Sequence, residues 1–203
     1  MSAPTFRNAK FEATGETRIE AGVTLYRICA VAPIAALGIR AGELGGWIEK
    51  ESNLSISGNA WVSGDARVYG NAVVYGNAWV SGDAWVSGDA RVYGYAWVYG
   101  DARVYGYAWV YGYAWVYGDA RVYGINLMVQ RSDGHAFTLA PTPVGPRIIA
   151  GCRYFTEAEA KAHWGADDYR DPALGKESLL IVKALMALAK HRGLHKPVKG
   201  SAA

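Results

Sequence analysis

Between Ile56 and Gly124 the chain repeats one short pattern of apolar and polar positions. It reads ISGNAW, VSGDAR, VYGNAV, VYGNAW, VSGDAW, VSGDAR, VYGYAW, VYGDAR, VYGYAW, VYGYAW, VYGDAR, and the pattern fails at Ile125. These eleven hexads share an aliphatic first residue, Gly third and Ala fifth, and such a short, unbroken period is the signature of a solenoid. Strand alternation puts each Ala and the following Val on one face, and Trp or Arg and then Ser or Tyr on the other. Gly-Asn and Gly-Asp supply corners, because Gly has no Cβ and Asn or Asp tolerates a left-handed backbone. Each hexad is therefore one short strand and one corner. One hexad cannot bury its apolar side alone, whereas three that close a triangular coil of eighteen residues can, with Val filling the axis. Stacked at ~4.8 Å, about four such coils make a prism roughly 20 Å tall.

The flanks break this period. Residues 1–43 predict an N-terminal β unit and residues 44–124 the coil. In residues 125–192, a small α+β unit, Leu127–Gln130 and Ala136–Leu139 read as strands joined by a turn at Asp133-Gly134. Arg147–Cys152 is a further strand. Thr156 with Glu159 forms a capping box for a helix that stops before Gly165, and a second helix runs from about Glu177 to His191. Residues 193–203 read as a basic tail. An open β-helix end is a row of unpaired backbone groups, so both flanks are expected to serve as caps.

An eighteen-residue period aligns the outward residues in columns. Trp61, Trp79, Trp97 and Trp115 share one, beside Ser63, Ser81, Tyr99 and Tyr117. A second side carries Arg67, Trp85, Arg103 and Arg121, and the third Val73, Arg91 and Trp109. The Trp column with Tyr99 and Tyr117 is the candidate binding surface, extended by Trp85, Trp109, Arg103 and Arg121. Four half-covered indoles still expose ~300–500 Å², as much as the largest patch on a typical monomer. Self-association, as a dimer or trimer, is the expected use.

Charge narrows the choice of partner. The net charge is +3, yet residues 56–124 hold four Arg and five Asp, so the coil is near neutral and the basic excess lies at the C-terminal end. Arginines interrupted by aspartates do not line a groove for single-stranded nucleic acid. The column of Asp65, Asp83, Asp101 and Asp119 has a sufficient reason in the corner itself. Cys29 and Cys152 lie among apolar residues outside any CxxC pair, which favours reduced thiols; neither metal nor cofactor is expected. No stretch is long and apolar enough to span a bilayer, and the start of the chain has no secretory pattern, so a cytoplasmic location is expected.

The hexads V-x-G-N/D-A-x resemble the hexapeptide-repeat, left-handed β-helix family. Its best-known members are trimeric CoA-dependent acyltransferases, and the resemblance implies left-handed coiling and trimeric packing. The segments around Leu25–Ile28 and Ala41–Ser55, with Ile148–Cys152 after the coil, resemble phage-type hexapeptide proteins described as polymer-forming or acetyltransferase-like. That resemblance implies a phage-encoded protein in the host cytoplasm, with a host protein or defence component as possible partner. Acyltransferases of the family use a histidine general base, often with a loop leaving the coil. Here the eleven hexads have no insertion and His135, beside Asp133, is the first histidine. It is the one weak catalytic candidate, more readily read as a surface residue after a turn. The expected function is a non-catalytic binding or assembly scaffold, with a CoA-dependent acyltransferase as the alternative.

Overall fold

The computed structural model describes residues 6–123, 127–142, 144–151 and 153–195. Two long antiparallel strands, β1 (Phe11–Glu20) and β2 (Val23–Ala30), lead to β3 (Leu44–Ile48). Eleven short strands follow, one per hexad: β4 (Trp61–Val62), β5 (Arg67–Val68), β6 (Val73–Val74), β7 (Trp79–Val80), β8 (Trp85–Val86), β9 (Arg91–Val92), β10 (Trp97–Val98), β11 (Arg103–Tyr105), β12 (Trp109–Val110), β13 (Trp115–Val116) and β14 (Arg121–Tyr123). They make a β-solenoid. Every pair of neighbours is parallel and in register, with Trp61 opposite Trp79, Trp79 opposite Trp97, and Trp97 opposite Trp115.

The strands fall into three stacks. The first is β4-β7-β10-β13, the second β5-β8-β11-β14 and the third β6-β9-β12. Every Val from Val62 to Val122 in this series, and the Ala two residues before each, is buried, as the phase of the repeat predicts. Each corner turns on a glycine at positive φ, between 63° and 74° from Gly58 to Gly118.

The N-terminal hairpin continues the second stack in the plane of the sheet. β3 pairs antiparallel with β2 and parallel with β5, so the sheet order is β1-β2-β3-β5-β8-β11-β14. Two glycines let β3 lie against the first coil. A Cβ on Gly45 would stand 2.8 Å from both Trp61 Cζ2 and Val62 O, and one on Gly46 2.7 Å from Ala66 O.

After the coil, β15 (Leu127–Gln130), β16 (Ala136–Ala140), β17 (Arg147–Ala150) and β18 (Arg153–Phe155) form an antiparallel meander. Its central strand β16 is buried along its whole length because both faces are covered. Ala136, Ala140 and Ile149 join the core of the coil, whereas Phe137, Leu139 and Ile148 pack with Trp164, Val182 and Leu185 of two helices. The backbone N–H of Arg121 donates to Pro141 O at 3.0 Å, joining the last coil to this unit. α1 (Glu157–Trp164) has the capping box predicted at Thr156 and Glu159 and ends at Gly165.

Two local readings change. α2 spans Pro172–His191, starting before Glu177, because Asp171 accepts from the N–H groups of Ala173 and Leu174 and Pro172 suits the first helical turn. The strand read as Arg147–Cys152 stops at Ala150, where Gly151 turns at φ 57°. The chain then returns as β18, whose three residues are too few to show alternation. Cys152 and the 196–203 part of the basic tail lie outside the described residues. No helix among the described residues is long and apolar enough to cross a membrane.

One buried charge marks the join between hairpin and coil. Lys10 is buried, with Nζ donating to Ser55 O at 3.0 Å, and burial lowers its pKa from 10.5 to about 8. Between those values the unfolded chain binds more protons than the folded one, so the penalty is fully present below pH 8 and is relieved as pH rises. From pH 7 to 9.5 the native chain should gain about 2 kcal/mol of stability relative to its Lys10→Met variant, read by urea denaturation. Parallel pH dependences in the two proteins would contradict this.

Candidate functional site

The three sides of the solenoid use their outward residues differently. On the first side Trp61 is 0% exposed, packed under Gly45 of β3, and its indole nitrogen has no hydrogen-bond partner. Trp61 therefore leaves the candidate surface: its place in the column is right, but β3 covers it. Trp79, Trp97 and Trp115 are half-buried. Trp79 Nε1 donates to Ser63 Oγ at 2.7 Å, Trp79 meets Trp97 edge-on at 5.3 Å, and Trp97 stacks on Trp115 at 5.3 Å and 7°. Beside them Tyr99 stacks on Tyr117, and Tyr117 meets Tyr154 of β18. Tyr154 donates to Asp119 at 2.8 Å; burial, and then that bond, push its hydroxyl pKa well above the usual value. Much of this side is occupied by contacts within the chain.

The second side alternates cations with rings. The Arg67 guanidinium lies 5.0 Å from the Trp85 ring on one side and Arg103 4.7 Å from it on the other. Above them Trp47 of β3 carries Arg27 at 5.2 Å and Arg18 at 5.8 Å. Arg67 is buried and its Nε lies 3.2 Å from Glu20 Oε2, an ion pair without hydrogen-bond alignment. Cations over indoles contribute ~0.5–2 kcal/mol each, so Trp85 and Arg103 hold this sheet together. Arg121, next in the column, shares a shallow cleft with Arg103 and Trp85.

The third side is the open one. Tyr107, Trp109, Tyr111 and Tyr113 are 69%, 49%, 41% and 60% exposed, and Tyr95 is 52% exposed; these five are all the exposed aromatic residues among those described. Trp109 and Tyr111 point outward from the strand, and Tyr107 and Tyr113 stand at the corners on either side of it. Tyr111 stacks on Tyr93 at 5.2 Å and Tyr93 on Tyr75 at 4.7 Å, while Tyr113 stacks on Tyr95 at 5.1 Å. Arg91 lies 6.0 Å from the Trp109 ring. With ~150–250 Å² per ring, these four and Tyr95 expose on the order of 500 Å², toward the upper end for the largest patch of a monomer.

This concentration arises at the corners. In the first coils the residue after the corner glycine is an amide or acid, and these ladder: Asn59 Nδ2 donates to Asn77 Oδ1 at 2.8 Å and Asn71 Nδ2 to Asp89 Oδ1 at 3.2 Å. In the following coils Tyr95, Tyr107 and Tyr113 take the same corner positions. The visible signal was the replacement of G-N/D-A by G-Y-A; the columns of strand residues alone do not reveal it.

His135 is exposed after its turn, with Nδ1 3.0 Å from Asp133 Oδ2. Asp133 also accepts from Arg131 Nε and Nη2, at 2.9 and 2.6 Å, which holds its carboxyl pKa far below the usual range. The aspartate is thus committed mainly to the arginine. Cys29 sits half-buried on β2. Among the described residues no three His, Cys, Asp or Glu side chains converge as metal ligands.

Fold and surface together define a β-solenoid repeat protein with one side of exposed aromatic residues. Residues 66–82, 84–100 and 96–112 match the family described as YdcK Beta solenoid repeat, and the chain is similar to that family over these coils. A comparison with curated proteins finds no match.

The two kinds of tryptophan should separate by stability. Trp61→Ala empties a buried site and is expected to cost about 3–5 kcal/mol, whereas Trp109→Ser should cost under about 1 kcal/mol, both read by chemical denaturation. Equal losses would show that the third side is also structural.

Proposed function

We propose that this chain is a non-catalytic assembly scaffold that self-associates through the third side of its coil, with Tyr107, Trp109, Tyr111 and Tyr113 at the centre of the contact. The observation that carries this reading is the gathering of every exposed Tyr, Trp or Phe among the described residues onto that side and its two adjoining corners. Tyr and Trp bring large contact area at low entropic cost, and they are the residue types enriched at interface centres. Two copies each burying such a surface, with the polar rim around it, reach the ~1,200–2,000 Å² of a stable interface.

The scaffold itself is proposed to be a left-handed parallel β-helix with eighteen residues per coil. The pairing of each residue with the one eighteen positions on supports the coil length, and the resemblance of the hexads supports the handedness. The hairpin and the C-terminal α+β unit are proposed as caps, a role supported by β3 against the first coil and by Pro141 accepting from Arg121. The resemblance of the flanks to phage-type proteins supports a phage origin and a site of action in the host cytoplasm.

Analytical ultracentrifugation of the whole chain tests the assembly. A dimer or trimer is expected, and replacing Tyr107, Trp109, Tyr111 and Tyr113 together by Ser should yield a monomer that still melts cooperatively. A monomeric native chain, or an unchanged mass in the variant, would overturn the proposal.

The capping role has a separate test. A chain ending at residue 123 should retain the β-rich circular dichroism of the coil but aggregate through its bared edge. A soluble, monodisperse truncation would count against a cap.

A further inference from the structure

A cleft of about 530 Å³ opens in the C-terminal unit, between the β17–β18 turn, the end of α1 and the segment leading into α2. That volume lies within the ~300–1,000 Å³ of small-molecule sites. Its cations are unequally committed. Arg131 is spent on Asp133 and on Ser178 Oγ at 2.9 Å. Arg153 and Arg170, also in the lining, form no ion pair among the described residues, and Asp168 is the one carboxylate that lines the cleft with them.

The remaining wall is aromatic. His163 packs edge-on against Trp164 at 5.3 Å and against Tyr169 at 5.6 Å. Burial, and then the charge of Arg153, lower the pKa of His163, so the Arg153 charge acts beside this wall. We propose that the cleft binds a small ring-bearing oxyanion, its carboxylate or phosphate held by Arg153 and Arg170 and its ring against His163 and Tyr169. A planar guanidinium matches such a headgroup with two parallel hydrogen bonds. Two arginines against one aspartate leave a single net positive charge to meet it. This site is separate from the aromatic side of the coil and does not depend on self-association.

Calorimetry of the full-length chain with phenyl phosphate, benzoate, inorganic phosphate and benzyl alcohol tests it. One of the two ringed anions should bind 1:1 and at least tenfold more tightly than inorganic phosphate or benzyl alcohol; which one binds fixes the headgroup. Arg153→Gln with Arg170→Gln should weaken that binding at least tenfold, and Arg40→Gln, before β3, should leave it unchanged. No saturable binding of either ringed anion, equal affinity for inorganic phosphate, or an unaffected double variant would overturn the proposal. If the double variant fails to fold, NMR of the native chain decides. Shifts centred on His163, Trp164 and Tyr169 are expected, and shifts centred elsewhere would overturn it.

Discussion

The structure depends on coils that stack in register at their corners. The corner glycines from Gly58 to Gly118 all have positive φ, a region that suits residues without a Cβ. Stacking adds a second demand on most of them. A Cβ on Gly94 would lie 2.8 Å from Gly112 N, and one on Gly88 2.9 Å from Gly106 N. The backbone of the next coil therefore excludes side chains from most of these positions, and glycine meets both demands at once. With the corners fixed, each Ala and Val returns to the axis and the strand positions fall into columns.

Columns have electrostatic consequences. Like residues placed ~4.8 Å apart either stack favourably or repel. Tyrosines stack, as Tyr75, Tyr93 and Tyr111 do, and burial with its stacked neighbours raises the pKa of the Tyr93 hydroxyl. On the second side Trp85 separates Arg67 from Arg103 and receives one from each side, while Arg121 follows Arg103 directly. The aspartate column is tied at its two ends, where Asp65 accepts from the Trp47 indole at 3.3 Å and Asp119 from Tyr154. The flanking units thus engage the coil through its charged corner as well as its core.

Much of this was legible in the chain because a six-residue period over-determines its solution. The burial of Val62 to Val122, the columns and the capping box at Thr156 each follow from local rules that agree with the fold. What escaped depends on contacts between distant segments. Trp61 looks like its column-mates, and only the placement of Gly45 over it distinguishes them. Exposure of the third side was equally hidden, since it depends on where the hairpin and the C-terminal unit pack. The early start of α2 is signalled by Asp171 and Pro172, ahead of the apolar run that begins at Leu179.

The corner also explains how a rigid repeat can carry a specific surface. Because glycine supplies the positive φ, the residue after it is released from the turn. Asn71, Asp89 and Tyr107 occupy one corner column, yet Gly70, Gly88 and Gly106 hold φ within 67–70°. The substitution of tyrosine for an amide or acid there changes the exposed chemistry and leaves the axis of Ala and Val untouched. Three such changes, at 95, 107 and 113, turn one side of the last coils from polar to aromatic. The same freedom is absent one residue earlier, where a Cβ on most of these glycines would meet the backbone of the next coil. The exposed chemistry of this coil can therefore change at the position after each corner glycine while the stacked backbone stays the same.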